Sequence, residues 1–282
     1  CRVIGYTWVF KIKNREDGSI AKFKARICVD GSKQKYGVDY DQTFAPVANA
    51  TTIRLVLAIA ASKGLCMRQY DVETAFLASK IDKPVYMRAP VGAGSGTDQV
   101  WLLRRSLYGL KQAPRLFNQH LNGNLKKHGF TQSLLDPCLY HRFKNGTETY
   151  LAVVVDDILL ATSSAMNAAK FEADLGGVYK LKSLGVPAYM VGMQLGHHRE
   201  KLTVCQNRYI TDVAKRFNES SPTPTRTPAN ASISLVQTGI ARKPPSALVN
   251  STKYRSLVGA LMYAVMTRPD VATSVSMCAR FL

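Results

Sequence analysis

Two adjacent aspartates interrupt an otherwise apolar segment. Asp156 and Asp157 lie in the middle of residues 151–161. Neighbouring side chains of a continuous strand point to opposite faces, so one site could not use both acids there. A hairpin turn at the pair would hold both carboxylates at one edge of a sheet, where divalent cations relieve their repulsion. An ordinary Asp-Asp turn is the alternative.

A third acid ends another strand-like segment. Asp71 follows Gln69 and Tyr70, and Glu73 lies two residues further on as a competing ligand or a solvated acid. Three carboxylates at strand ends can hold two metal ions, which activate an attacking hydroxyl and neutralise a leaving pyrophosphate during in-line phosphoryl transfer. The acids therefore predict the chemistry that a nucleotide polymerase needs.

The charge of the chain favours a polyanionic partner. Its 282 residues include 38 Lys and Arg against 19 Asp and Glu, a formal net charge of +19. From residue 175 to the end there are fourteen basic residues and four acids, so this third is the expected electrostatic footprint. Such a field favours nucleic acid over a small neutral substrate, with surface charge for solubility and membrane-surface binding as alternatives.

Composition and cysteine spacing exclude other classes. With 46% hydrophobic and 20% charged residues, the chain is a folded globular protein rather than a disordered one. The six cysteines are scattered without zinc-ligand spacing, which indicates reduced thiols in an intracellular protein. The longest apolar run, residues 257–266, falls short of the roughly 20 residues of a membrane span. No signal peptide opens the chain, and its start at Cys1 indicates a piece of a longer protein.

Hydrophobic periodicity predicts the elements that position the acids. Residues 8–13 and 20–28 alternate apolar and charged side chains around a Gly-bearing turn, which predicts a β-hairpin. Helices are predicted from Thr51 with a Thr cap, from Pro114 to Gly129, and over residues 206–217, 254–266 and 271–282. A strand is expected at 67–72, and residues 221–245 are expected to be a linker. This mixture predicts the α+β class.

The candidate residues lie in motifs that follow one another in a fixed order. These are residues 71–77 (Asp-Val-Glu-Thr-Ala-Phe-Leu), 106–115 (Ser-Leu-Tyr-Gly-Leu-Lys-Gln-Ala-Pro-Arg) and 154–158 (Val-Val-Asp-Asp-Ile). Together they resemble the reverse transcriptase of copia-type (Ty1/copia) long-terminal-repeat retrotransposon Pol polyproteins. Matching segments run along nearly the whole chain, at residues 5–13, 40–47, 52–54, 129–133, 136–140, 254–263 and 267–270.

The resemblance implies a right-hand polymerase with fingers, palm and thumb, whose antiparallel palm sheet packs on helices. The implied regions are 1–65 (fingers-like), 66–196 (palm, with a fingers insertion at about 81–105), 197–245 (thumb-like region and linker) and 246–282 (start of the connection region, with RNase H absent). Asp71, Asp156 and Asp157 are implied to be catalytic and to bind two Mg²⁺ ions, with Mn²⁺ as a substitute.

The resemblance also assigns residues to the substrates. Nucleotide binding is implied for Lys24, Arg26, Val72, Phe76, Gly109 and Gln112. Template and primer contacts are implied for Val154, Val155, Pro114, Arg208, Lys215 and Arg216. Lys180 or Lys182 would protonate pyrophosphate, whereas the adjacent His197 and His198 are expected in a solvated turn.

Several of these assignments have structural alternatives. Phe76 would exclude a 2′-hydroxyl by its bulk, or it could be a core aromatic. Lys24 and Arg26 would bind the triphosphate, or they could form a solvated strand face. Gly109 would let a backbone approach the nucleotide, and Pro114 has a sufficient role in starting its helix.

Three functions remain open at the level of the sequence. The first is an RNA-directed DNA polymerase acting with an RNA template, a DNA primer and product, and dNTPs. The second is a catalytically silent nucleic-acid-binding remnant, which is favoured by Val154 where the family usually has Tyr. The third is a structural domain with the acids far apart. The family further implies RNase H and integrase regions of the same polyprotein, no membrane, and a cytoplasmic, virus-like-particle location; no oligomeric state is predicted.

Overall fold

The computed structural model describes residues 2–14, 19–92, 99–198, 201–218, 226–229 and 250–282. The chain divides into an N-terminal unit, Cys1–Pro187, and a C-terminal unit, Ala188–Leu282. The N-terminal unit contains β1 (Val3–Ile4), β2 (Tyr6–Asn14), β3 (Ile20–Val29), α1 (Ala50–Lys63), β4 (Cys66–Val72), β5 (Tyr86–Arg88), β6 (Val100–Leu102), α2 (Ala113–Lys127), β7 (Thr131–Gln132), β8 (Leu139–Lys144), β9 (Thr147–Val154), β10 (Asp157–Thr162), α3 (Ala165–Gly176) and β11 (Leu181–Gly185). The C-terminal unit contains β12 (Tyr189–Met190), β13 (Met193–His198), β14 (Lys201–Cys205), α4 (Asn207–Arg216), α5 (Ser251–Ala264) and α6 (Ala272–Ala279).

A six-stranded antiparallel sheet forms the centre of the N-terminal unit, in the order β11-β4-β10-β9-β8-β7. Alternate residues of its strands form one buried cluster with α2 and α3, which places both helices on one face. The cluster includes Tyr70, Val72, Leu151, Val153, Ile158, Leu160, Phe117, Leu121, Leu125, Phe171 and Leu175. Helix α1 packs on β9 and β10, and no described residue of α1 belongs to that cluster, so α1 covers the other face.

Helix α1 starts differently from the prediction. It begins at Ala50 with Asn49 as N-cap rather than with a Thr cap. The Asp136 carboxylate accepts hydrogen bonds from the Thr52 hydroxyl and, at 3.1 Å, from the Asn49 N–H. Hydrogen-bond donors at the start of this helix are therefore satisfied by a residue far along the chain. By contrast, α2 begins with Pro114 in its first turn and ends just before Gly129, as predicted.

The β2–β3 ribbon is the predicted hairpin, although its turn at residues 15–18 lies outside the described residues. Its register puts different chemistry on its two faces. Trp8, Phe10 and Ile12 lie opposite Ile27, Ala25 and Phe23, whereas Lys11 and Lys13 lie opposite Lys24 and Lys22. Since residues paired across an antiparallel ladder share a face, one face is apolar and the other is basic. A smaller sheet, β1-β5-β6, completes this region.

The C-terminal unit combines a small sheet with helices. Strands β12, β13 and β14 form an antiparallel sheet, and α4 packs on α5. The Tyr209 hydroxyl on α4 donates to the Ala260 carbonyl at 2.9 Å, and the Tyr263 hydroxyl donates to the Val191 carbonyl. Helix α4 lies within one residue of the predicted range at each end.

The predicted helices at the end of the chain are shifted. Helix α5 spans Ser251–Ala264, and α6 spans Ala272–Ala279 after a 3₁₀ turn. The predicted linker at 221–245 lies almost wholly outside the described residues. His197 and His198 are exposed, as predicted, but they lie in β13 rather than in a turn, because both pair with β14.

The predicted fold class, α+β with an antiparallel sheet packed on helices, is confirmed. No helix among the described residues is both long and apolar enough to cross a membrane. The cysteines at 28, 66, 138, 205 and 278 are all free thiols, as their scattered spacing predicted.

Candidate active site

The Asp156-Asp157 pair lies at a two-residue hairpin turn between β9 and β10, as the sequence predicted. Val154 pairs with Asp157, which leaves Val155 and Asp156 as the turn. Val155 has a φ of +58°, the sign that tight hairpin turns require at their first position. A β-branched residue rarely adopts this conformation, so the turn stores backbone strain beside both acids.

Strand register brings the third acid to the same place. Asp71 pairs with Asp157 on β10 and with Lys182 on β11. Residues directly opposite across antiparallel strands project from the same face, so these three side chains form a row across the sheet. The Val72 N–H donates to the Asp156 carbonyl at 2.8 Å, which ties the turn to the end of β4. The structural alternative in which the three acids lie far apart is wrong.

The carboxylates of Asp71, Asp156 and Asp157 are close enough to repel one another. The pKa of Asp157 is raised, first because the group is partly buried and then because the negative charges of Asp156 and Asp71 are close. A hydrogen bond with the Gln69 side chain partly offsets these effects. The site therefore favours positive charge.

The carboxylates are not pre-arranged as a closed metal site. No group of three His, Cys, Asp or Glu side chains in the described ranges is positioned to hold a metal ion. The donor set nevertheless suits a hard cation, because Mg²⁺ takes carboxylate oxygens and keeps several water ligands. Asp71, Asp156 and Asp157 are the side chains that would hold such a cation.

Asp71 and Asp156 open onto a cavity of about 610 Å³, here called the Asp156 cavity. Its volume lies within the usual range for a small-molecule site. The basic face of the β2–β3 ribbon forms the opposite wall. The basic lining residues are Lys13, Lys22, Lys24, Arg26 and Lys182. The cavity thus brings carboxylates and a group of cations together, which is the charge pattern expected for a metal-bound polyphosphate.

Tyr108 is a lining residue that the sequence motifs contained but that was not assigned a role. The Arg26 guanidinium lies over its ring, 3.9 Å from the centroid. The Tyr108 carbonyl accepts the Val29 N–H at 2.8 Å. Burial raises the pKa of Tyr108, although Arg26 acts in the opposite direction. Tyr108 therefore anchors one wall of the cavity and holds Arg26 in place.

Phe76 lies beside this wall, in a 3₁₀ turn that follows β4. Its ring centroid is 4.6 Å from that of Tyr108 and 6.2 Å from that of Phe117. Phe76 is half-buried and packs against the core clusters on both sides. It is thus supported as a rigid ring next to the cavity, and it also fills the core role that its residue type allows.

Two residues assigned to the nucleotide, Gln112 and Gly109, make structural contacts. Gln112 is fully buried; its amide accepts from the Gln34 side chain at 3.0 Å and donates to the Asp39 carbonyl at 2.9 Å. Gly109, with a φ of +92°, packs on the backbone of Val29, where a Cβ would lie 2.1 Å from the carbonyl oxygen. Here glycine permits a backbone–backbone contact, which joins the base of the ribbon to the segment before α2.

Residues assigned to template and primer divide between two places. Pro114 and Val155 line an apolar cavity of about 310 Å³ beside the β9–β10 turn, whereas Val154 is half-buried in β9. Val72 is buried beneath the Asp156 cavity that it lines. The remaining residues, Arg208, Lys215 and Arg216, are exposed on α4 of the C-terminal unit.

The two lysines considered for pyrophosphate protonation are in different situations. Lys180 forms an ion pair with Glu73, with 2.6 Å between Nζ and Oε2. That contact lowers the pKa of Glu73, mainly through the hydrogen bond. Lys180 and Glu73 are therefore paired with each other. Lys182 lines the Asp156 cavity opposite Asp71. Lys182 is therefore the lysine that the structure brings to the site.

Comparison with known proteins identifies the family. A family model described as reverse transcriptase (RNA-dependent DNA polymerase) matches residues 1–231. The chain belongs to this reverse transcriptase family. It is 38% identical to the Retrovirus-related Pol polyprotein from transposon TNT 1-94 of Nicotiana tabacum, over 98% of this chain and 21% of the polyprotein. It is also 34% identical to that from transposon RE1 of Arabidopsis thaliana, over 99% of this chain and 19% of the polyprotein.

A yeast relative agrees with this reverse transcriptase assignment. A transposon Ty5-1 protein of Saccharomyces cerevisiae is 35% identical over 75% of this chain and 68% of that protein. The chain thus spans about a fifth of the plant polyproteins but two thirds of the yeast protein. These relatives confirm the predicted Ty1/copia type. Among solved structures, a foamy viral protease-reverse transcriptase in complex with double-stranded DNA gives a TM-score of 0.42 at 12% identity, over 91% of this chain and 37% of that chain.

Proposed function

We propose that the chain is the catalytic domain of an RNA-directed DNA polymerase that extends a primer on an RNA or DNA template. The observation that carries the proposal is the alignment of Asp71 with Asp157 across β4 and β10, with Asp156 in the adjoining turn. This arrangement places three carboxylates at one end of the sheet, and two of them, Asp71 and Asp156, line a cavity together with basic residues.

Asp71, Asp156 and Asp157 would hold two Mg²⁺ ions, or Mn²⁺ in their place. When bound, such ions supply charge neutralisation and an activated hydroxyl for in-line phosphoryl transfer. The crowding that raises the pKa of Asp157 supports this role, because carboxylates that repel one another gain from a shared cation.

The basic wall would position the nucleotide. Lys24 and Arg26 would bind the triphosphate, and the Arg26 guanidinium packs over the Tyr108 ring. Lys182 would hold a proton near the departing pyrophosphate, since it lies opposite Asp71. Lys180 instead neutralises Glu73.

Phe76 would select the sugar by excluding a 2′-hydroxyl. Its contacts with Tyr108 and Phe117 restrict the ring, and a restricted ring is what steric exclusion requires. Val155 and Pro114 would contact the primer or template beside the catalytic turn, because both line the adjoining apolar cavity. On the C-terminal unit, Arg208, Lys215 and Arg216 would contact the backbone of the duplex.

The partners and location are proposed by analogy with the family. We propose that the chain acts on an RNA template, a DNA primer and product, and dNTPs, beside RNase H and integrase regions of the same polyprotein. The net charge of +19 supports polyanion binding. By analogy with its family, the place of action is a cytoplasmic virus-like particle.

Primer extension on an RNA template, with Mg²⁺ and dNTPs, tests this function. The parent should extend the primer, and Asp156→Asn should not, because the amide keeps the shape of the side chain but removes its charge. Both should bind the template–primer in an anisotropy assay. Binding without extension by either chain would identify the silent remnant, and weak, salt-independent binding by both would contradict every nucleic-acid function.

A further inference from the structure

A second basic pocket lies at the opposite end of the central sheet. It has a volume of about 630 Å³ and is formed by the end of α2, the β8–β9 turn and α3. We call it the Lys144 pocket, and its charged lining residues are Lys127, His128, Arg142, Lys144, Lys170 and Asp174. No role in polymerisation draws on these residues.

The pocket is separate from the catalytic site. Thr147, which lines it, begins β9, whereas the catalytic turn follows Val154 at the other end of the same strand. At roughly 3.3 Å per residue, these ends are about 23 Å apart. A phosphate bound in the Lys144 pocket therefore cannot belong to a nucleotide that is reacting beside Asp156.

The fixed charge of the pocket favours an anion. Among the described lining residues, four Lys and Arg face one acid, Asp174, a balance of +3 when His128 is neutral. Asp174 lies 3.8 Å from Arg142, 3.8 Å from Lys170 and 4.0 Å from His128. Charge-assisted hydrogen bonds are shorter, at about 2.7–2.9 Å, so one carboxylate shared among these groups leaves their donors able to bind a ligand.

Parts of the pocket are rigidly built. The Arg142 side chain is only 11% exposed. Its guanidinium donates to the His128 carbonyl at 3.0 Å and lies over the Phe130 ring, 4.4 Å from the centroid. The adjoining turn is Asn145-Gly146, both with positive φ, as a tight hairpin favours. Arg142 is therefore held in place, while Lys144 and Lys170 provide exposed ammonium groups around it.

We infer that the Lys144 pocket binds adjacent phosphate groups of a nucleic-acid strand, as a second contact distant from the catalytic turn. Several cations around a concave surface, with one of them held by packing, form the pattern that phosphate recognition uses. A free polyphosphate has the same chemistry and is the other source of such groups. The inference does not depend on polymerase activity.

Lysine acetylation read by peptide mass spectrometry tests the site directly. With a single-stranded RNA oligonucleotide bound, Lys144 and Lys170 should be acetylated at least about threefold more slowly, because bound phosphates cover their ammonium groups. Lys33 and Lys35, exposed and outside both basic cavities, serve as internal controls. A parallel arm uses tripolyphosphate. Protection by RNA alone supports a nucleic-acid strand as the ligand. Protection by tripolyphosphate supports a phosphate-binding site whose ligand is a free polyphosphate. Protection by neither overturns the inference.

A matched pair of double variants provides an independent measurement. Lys144→Gln with Lys170→Gln should weaken RNA binding about tenfold and lower the salt slope of binding by about 1–2, relative to Lys33→Gln with Lys35→Gln. An equal loss of RNA affinity in both double variants would refute phosphate binding in the Lys144 pocket. Extension of a short template–primer should survive in the pocket variant, whereas Asp156→Asn should keep the lysine protection, so failure of one proposal is distinguishable from failure of the other.

Discussion

Replacing Gly109 by Ala should loosen the junction between the β2–β3 ribbon and the wall of the Asp156 cavity. Gly109 has a φ of +92°, and an added Cβ would lie 2.1 Å from the Val29 carbonyl oxygen and 2.8 Å from the Val29 nitrogen. The left-handed backbone costs about 1–2 kcal/mol for a residue with a Cβ, and overpacking costs about 1–3 kcal/mol. We therefore expect Gly109→Ala to lower the free energy of unfolding by about 2–5 kcal/mol.

Three other glycines separate these two contributions. At Gly31 a Cβ would meet the Gly109 carbonyl at 2.0 Å without a left-handed φ, so Gly31→Ala should show the packing cost alone. Gly64 has a φ of +62° and no neighbour within 4 Å, so Gly64→Ala should cost about 1–2 kcal/mol. Gly123 lies in α2 with neither feature, so Gly123→Ala should stabilise by about 0.5–1 kcal/mol.

Tryptophan fluorescence is a suitable assay, because the only two tryptophans of the chain, Trp8 and Trp101, lie in the N-terminal unit. At roughly 2–4 °C per kcal/mol for a unit of this size, Gly109→Ala should lower the melting midpoint by roughly 4–20 °C. The decrease in the free energy of unfolding for Gly109→Ala should be close to the sum of the decreases for Gly31→Ala and Gly64→Ala. A midpoint for Gly109→Ala no lower than that of Gly64→Ala would refute the backbone contact.

Three further changes test other parts of the structure. Val155→Gly should raise thermal stability by about 1 kcal/mol by relieving the left-handed valine, and a lower melting midpoint would contradict the strained turn. Asp136→Asn should destabilise by about 1.5–3 kcal/mol in urea unfolding, because its carboxylate accepts from Thr52, Asn49 and Cys138; an unchanged midpoint would contradict that role. Burial, followed by the charges of Arg105 and Lys127, lowers the pKa of His120, so its contribution to stability should be complete above about pH 6.5 and decline as the pH falls toward the lowered value. His120→Gln should flatten that part of the urea-midpoint profile, and an unchanged profile would rule out His120 as its source.

Local patterns predicted the elements that carry the site. Alternation of apolar and charged residues predicted the β2–β3 ribbon, and helical periodicity predicted α4 to within a residue. The β9–β10 hairpin was predictable because two adjacent acids cannot share one face of a continuous strand. The Asn-Gly sequence at residues 145 and 146 is also a hairpin signal, and both residues have a positive φ.

Long-range pairing accounts for what the sequence could not predict. Which lysine faces the site depends on the register between β11 and β4, which puts Lys182 opposite Asp71 and leaves Lys180 with Glu73. The first turn of α1 depends on Asp136, which lies in a different part of the chain. The role of Gln112 depends on contacts with Gln34 and Asp39, more than 70 residues away. None of these contacts leaves a periodic signal in the sequence.

The central claim is that Asp71 and Asp156 act as one unit in nucleotidyl transfer. Single-turnover incorporation of one deoxynucleotide should be measured for Asp71→Asn, Asp156→Asn and the double variant, with template–primer binding measured in parallel. Residues that act together are strongly non-additive, so each single change should abolish about as much activity as the pair, by about 10³-fold or more, while binding is retained. Additive losses, or a single variant that retains the parent's rate, would contradict a shared catalytic site.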